Sequence, residues 1–324
     1  MKRLVLVLLV FLVAPLVGLS QSPPEIPYTV VPDFLKMPVN LYLGEVPGVA
    51  VDKTGDVYVY TRSGHTRLFE FAPDGKYMRE LGHDLYSFVF AHAVRIDPEG
   101  NIWAVDEGSN MIVEFNPDGR VLTNLGRRPE PSERAAAAAG MRPEFTPPPW
   151  MFNRETDIAW DSHGNMFVSD GYGNSRVAEF DKDGMFVKDW GIRGTAPGQF
   201  HTPHAIAIDD HDNIYVADRE NHRIQVFDDN GKFLKQWTNV GTPWAICISP
   251  GPNQVLYSAD GFKGRFYKLD LNGNILGEFG KWGRVIGTFG WIHEIDCSQA
   301  NENIIYAADL TNWRVDKIIM HPAH

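Results

Sequence analysis

Short β-branched and aromatic runs recur along this chain, divided by Asp-Gly and Asn-Gly type turns. The clearest set runs His204-Ala-Ile-Ala-Ile-Asp209, Asn213-Ile-Tyr-Val-Ala-Asp218, Arg223-Ile-Gln-Val-Phe227 and Gly231-Lys-Phe-Leu-Lys-Gln-Trp237. Copies pass through Asp97, Asn101-Ile-Trp-Ala-Val-Asp106 and Ile112-Val-Glu-Phe115, and through Asp161, Asn165-Met-Phe-Val-Ser-Asp170 and Arg176-Val-Ala-Glu-Phe180. In all three the two Asp residues are nine apart (106−97 = 170−161 = 218−209 = 9). Four such runs per copy read as four antiparallel strands joined by hairpins. A unit of roughly 40–50 residues with four strands predicts the blade of a β-propeller. Weaker copies start at Asp52 and Trp244, and a last one at His293, which makes six. The last holds only three runs, ending Trp313-Arg-Val-Asp-Lys-Ile-Ile319. Tyr28-Thr-Val-Val31 is expected to supply its outer strand and close the ring, which removes exposed sheet edges. The prediction is an all-β, six-bladed propeller forming a single domain over residues 21–324.

Three histidines share one register in these repeats. His92, His204 and His293 open the even-numbered copies, each five residues before the end of its run (97−92 = 209−204 = 298−293 = 5). The odd copies carry Pro47, Thr156 and Trp244 there. The innermost strand of a blade lines the central channel, so equivalent positions on alternate blades converge around an approximate threefold axis. Three neutral imidazoles around one point are a frequent shell for catalytic zinc with an open fourth position. A lone His at a strand start is ordinarily a hydrogen-bonded structural residue. Three in one register are better explained by a metal. His65, His83, His163, His201, His211 and His222 share no such register and are expected at the surface.

Composition narrows the class. The net charge of −11 and pI near 5.4 exclude a basic nucleic-acid surface. Lys2 and Arg3, an apolar run from Leu4 to about Val13, and then Gly18 and Ser20 read as a secretory signal over residues 1–20. The run is short for a membrane span and Pro15 interrupts it, so the mature chain is expected to be secreted or periplasmic without stable membrane insertion, and monomeric. Aligning the repeats sets Cys247 opposite Asp296, one residue from Cys297, so the two cysteines are expected to point to opposite strand faces as buried free thiols. Residues 127–154, with Ala135 to Ala139 and Pro147 to Pro149, read as a long inter-blade loop.

At this point the repeats resemble NHL repeats, and the whole set resembles the peptidyl-α-hydroxyglycine α-amidating lyases. The matching stretches include Gly48-Val-Ala-Val-Asp52, His92-Ala-Val, Thr156-Asp-Ile-Ala, Ser169-Asp-Gly-Tyr-Gly-Asn-Ser-Arg176, Pro197-Gly-Gln-Phe-His-Thr-Pro-His204, Ala217-Asp-Arg-Glu-Asn221 and His293-Glu-Ile. The resemblance implies cleavage of the C–N bond of a C-terminal α-hydroxyglycine, giving a peptide amide and glyoxylate. It implies zinc on His92, His204 and His293, with Tyr172 as general base and Arg62 and Arg219 holding the substrate carboxylate. It also implies a structural calcium at the Val49 and Val94 carbonyls and the Glu294 carboxylate. The chain departs from the family pattern with Glu294 for a shorter Asp, Thr61-Arg62-Ser63 for His-Arg-Gly, and Gly173 for a cysteine. The partner expected is a small molecule or a peptide C-terminus. Two other readings use the same repeats: a lactonase-like metal-dependent hydrolase, and a non-catalytic NHL binding module with a structural metal.

Overall fold

The computed structural model describes residues 22–130, 132–133 and 148–321. The signal-like segment and the alanine-rich centre of the 127–154 insertion lie outside the described residues. The strands form six four-stranded antiparallel sheets, the blades of a six-bladed propeller. The innermost strands are Glu45–Val51, Ala91–Ile96, Asp157–Trp160, Pro203–Ile208, Pro243–Ile248 and Ile292–Asp296. Blade six draws three strands from the C-terminal end and its outer strand, Tyr28–Val30, from the N-terminal end. That strand pairs with Arg314–Met320 in the register Tyr28↔Met320 and Val30↔Ile318, which is the closure expected from the missing run.

The two repeated Asp residues have separate jobs. The first closes the hairpin below the blade: Asp97, Asp161 and Asp209 each accept the backbone N–H of the Asn four residues on, at 2.7, 2.8 and 2.9 Å. The second accepts a backbone N–H from the loop entering the innermost strand, from Phe90 to Asp106, His201 to Asp218 and Gly290 to Asp309, at 2.9, 2.7 and 2.9 Å. Those three loops lead directly into the histidine strands.

The core lies between blades rather than within them. One apolar cluster joins Ala245, Tyr257 and Phe266 of blade five to Ile292, Ile295 and Ile305 of blade six. Adjacent sheets therefore stack face against face, and this corrects the expectation of free thiols. Cys247 and Cys297 form a disulfide with Cα atoms 6.1 Å apart, inside the ordinary span for such a bond. Side chains on opposite faces of equivalent strands diverge within one sheet. On neighbouring blades they meet in the shared interface.

Each channel histidine sits at a break in strand register. Ala91 pairs with Asp106 and Ala93 with Val105, which leaves His92 as an extra residue, and His204, Trp244 and His293 are bulged in the same way. A β-bulge re-aims a side chain and suspends strict alternation. Consecutive residues such as His92 and Ala93, or His293 and Glu294, consequently line one cavity. Among the described residues no helix is long and apolar enough to cross a membrane.

Cys247→Ser should lower unfolding stability by about 2–4 kcal/mol, since the bond closes a 50-residue separation. Thiol titration of the denatured protein should find none before reduction and two after it. Two free thiols without reductant would contradict the bond.

Candidate metal centre

His92, His204 and His293 are buried at 2%, 1% and 4% exposure, and their candidate ligand atoms all lie within 4.8 Å of one another. The ring centroids make a near-equilateral triangle of 4.7, 4.5 and 4.9 Å. Each ring is aimed by the next blade. The Nδ1–H of His92 donates to the Thr156 carbonyl at 2.6 Å, that of His204 to Trp244 at 2.6 Å, and that of His293 to Pro47 at 2.9 Å. A carbonyl only accepts, so Nδ1 carries the proton and Nε2 keeps its lone pair for a ligand. The three acceptors occupy the same repeat register on the odd blades as the histidines do on the even ones.

Electrostatics favour the same state. Burial is the main force holding all three imidazoles well below their usual pKa; the neighbouring histidines and Arg62 add to it at His92, and Arg219 does so at His204. Three neutral rings whose Nε2 atoms carry no proton of their own fit a divalent cation.

The side chains expected beside the histidines are brought together. The Tyr172 hydroxyl lies 3.1 Å from His204 Nε2 and 3.4 Å from His92 Nε2, and it accepts a hydrogen bond from Arg219 Nη1 at 3.2 Å. Burial raises the Tyr172 pKa, and Arg219 works against that rise. Arg219 also stacks over the Trp244 ring at 4.6 Å. Arg62 is anchored differently: its Nε donates to the Ala91 carbonyl at 2.7 Å, its Nη2 meets Glu107 at 3.4 Å, and its guanidinium covers Phe90 at 3.7 Å. It is both an inter-blade ion-pair residue and a charge felt by His92, His293 and Tyr172.

Sequence reasoning passed over two neighbours. Arg154 stacks on the Tyr172 ring at 4.6 Å and pairs with Glu107 at 3.0 Å. It ends the 127–154 insertion, where no repeat register exists to mark it. Glu107 is buried between Arg62 and Arg154 and holds both. Its clue was its place immediately after the second repeated Asp, Asp106.

The residues expected to hold calcium do not fit a hard cation as they are arranged. Glu294, Val49 and Val94 do meet, but it is the Val49 and Val94 N–H groups that donate to Glu294 Oε2, at 2.8 and 3.2 Å. Glu294 Oε1 lies 3.1 Å from the Nε of Arg95, whose Nε and Nη2 also donate to Asp157 at 2.8 and 2.6 Å. A hard cation needs converging oxygens, whereas this carboxylate faces N–H donors and a guanidinium. Burial opposes a charge on Arg95, yet Asp157 and Glu294 hold its pKa above the ordinary value. The physical origin is the exposed inner edge of the ring: Glu294 caps two inward N–H groups, and Asp157 takes that of Ile206 at 3.1 Å. Gly48 makes room, because a Cβ there would lie 3.0 Å from Glu294 Oε2. Together with the histidines, these side chains line one small cavity.

Known proteins resemble this chain in repeat, sequence and fold. The NHL repeat family profile matches residues 200–227. The chain is 32% identical over 218 residues to peptidyl-glycine alpha-amidating monooxygenase B of Xenopus laevis, covering 58% of this chain and 23% of that protein. It is 26% identical over 222 residues to peptidyl-alpha-hydroxyglycine alpha-amidating lyase 1 of Drosophila melanogaster, covering 57% of this chain and 38% of that one. It thus spans under half the length of these relatives. Among solved structures, a streptogramin B lyase aligns over 92% of this chain and 98% of its own with a TM-score of 0.61 at 13% identity, a likeness of fold alone. The relatives support the family resemblance drawn from the sequence.

After loading with a divalent metal, elemental analysis should find one ion per chain, and His204→Ala should weaken its retention by at least about 100-fold. Adding millimolar Ca²⁺ to calcium-depleted protein should leave the melting temperature unchanged. Arg95→Met should cost about 3–5 kcal/mol of stability, as expected when one member of a buried ion pair is removed. A calcium-dependent rise in melting temperature would restore the calcium role.

Proposed function

We propose that this homologue of the peptidyl-α-hydroxyglycine α-amidating lyases is an exported, zinc-dependent lyase that cleaves the C–N bond of a C-terminal α-hydroxyglycine. The observation that carries the reading is the Tyr172 hydroxyl, held by Arg219 at 3.2 Å against the free Nε2 of His204 at 3.1 Å. The reaction converts R–CO–NH–CH(OH)–COO⁻ to R–CO–NH₂ and OHC–COO⁻. The C–N bond breaks, its electrons leave with the amide nitrogen, and the hydroxyl proton ends on that nitrogen.

His92, His204 and His293 would hold the ion through Nε2. When bound, zinc supplies a Lewis acid for the substrate hydroxyl oxygen and a positive charge beside the Tyr172 oxygen. Tyr172 sits where it can take the hydroxyl proton and return it to the leaving nitrogen, a general base and then a general acid. Burial favours its neutral form, and the Arg219 hydrogen bond stabilises the phenolate it must become. Arg219, with Arg62 and Arg154 beyond it, presents planar donors for the carboxylate of the substrate. The Nδ1 hydrogen bonds keep the three rings from turning as charge shifts.

Export is part of this reading. Lys2, Arg3 and the apolar run after them support it, as does the Cys247–Cys297 disulfide, a bond that persists in oxidising compartments.

Incubating the zinc-loaded protein with an α-hydroxyglycine-terminated peptide should release glyoxylate and the peptide amide in equal amounts. Tyr172→Phe should lower kcat by about 10²–10⁴-fold while metal content stays at one per chain. Bound metal with no glyoxylate release would keep the three-histidine centre and remove the lyase. Activity that persists after metal removal would leave only a structural metal.

A further inference from the structure

A cluster of aromatic rings adjoins the histidines. Trp244, Phe262 and Trp291 form a triangle of rings with centroids 5.0, 5.3 and 5.5 Å apart. Trp244 is 6% exposed and reaches the metal centre, with its ring 5.2 Å from His204 and 5.7 Å from His293. Phe262 and Trp291 are 47% and 38% exposed. The triangle therefore runs from the histidines out to solvent.

Neither the repeat nor the core accounts for it. In the register of Trp244 the other odd blades carry Pro47 and Thr156, whose carbonyls do the same work of aiming a histidine. The indole adds nothing to that hydrogen bond. It is nonetheless fitted closely, since a Cβ on Gly261 would lie 2.5 Å from its Cγ. Its Nε1–H is buried and has no partner among the described residues, an open cost for a buried donor. The exposed Phe262 and Trp291 rings are a second cost that burial beneath a ligand would relieve.

Position identifies the ligand. Arg219 touches both halves of the site, stacking on Trp244 at 4.6 Å and donating to Tyr172 at 3.2 Å. Arg154 stacks on Tyr172 and Arg62 acts on its charge, whereas the aromatic triangle meets Arg219 through Trp244. A ligand whose carboxylate meets the arginines thus directs its far end onto the three rings. We propose that Trp244, Phe262 and Trp291 are a seat for an aromatic or large aliphatic group attached to the amide of the ligand. Under the lyase reading, on which this rests, that group is the side chain of the residue before the α-hydroxyglycine. The preferred substrate class is a peptide or acylglycine derivative with a bulky apolar group there.

Binding of two unreactive carboxylates to the zinc-loaded protein tests this by calorimetry: N-(3-phenylpropanoyl)glycine and N-acetylglycine. Both offer a carboxylate and an amide, and only the first has a ring for the seat. The phenyl ligand should bind about tenfold tighter or more, the scale expected for burying a ring of this size. Phe262→Ala and Trp291→Ala should each bring the ratio below about threefold, with metal content and melting temperature at wild-type values. Equal affinity for the two ligands, no binding of either, or a ratio untouched by both substitutions overturns the proposal. Because the ligands do not react, the outcomes separate: selective binding without glyoxylate release keeps the seat and removes the lyase, and glyoxylate release with unselective binding does the reverse.

Discussion

Everything at the centre of this propeller depends on a hydrogen bond made three times, from a histidine Nδ1–H to a backbone carbonyl of the next blade. It fixes the tautomer, turns each Nε2 toward the axis and ties each even blade to an odd one. The bond exists because each histidine is the extra residue of a β-bulge, which frees it from ladder pairing and from the alternation of its strand. The second Asp of each even repeat pins the entering loop and so sets where the bulge begins.

A closed ring also leaves an inner edge of unpaired backbone groups around its axis. Below the histidines this chain satisfies part of that edge with Glu294 and Asp157, and it balances the buried carboxylates with Arg95. The longer Glu294 reaches across to the amides of two other blades. This carboxylate thus helps hold the channel wall beside the imidazole triangle.

Blade-on-blade stacking brings the two cysteines together. Equivalent register on a single sheet would put Cys247 and Cys297 on opposite faces. In a propeller the upper face of one sheet packs on the lower face of the next, so opposite faces converge. The same stacking hid Glu107 and Arg154. They are joined to Tyr172 and Arg62 through loops of different blades, and no spacing in the chain connects them.

Repetition made the fold legible. A blade's strands, turns and Asp pairs are local, so six copies and the N-terminal closing strand followed from the pattern of apolar runs. The histidine triangle was legible for the same reason, because closure maps equal register onto equal depth in the channel. Tyr172, Arg62 and Arg219 came from the family resemblance, and the chain folds them to the same end of the ring. Only the tertiary structure decided the rest: the bulges, the carbonyls that aim the rings, the pairing of Arg95 with two carboxylates, the disulfide and the aromatic triangle. Each of these depends on the distance between side chains of different blades, a quantity that ring geometry sets and that no periodicity in a single chain encodes.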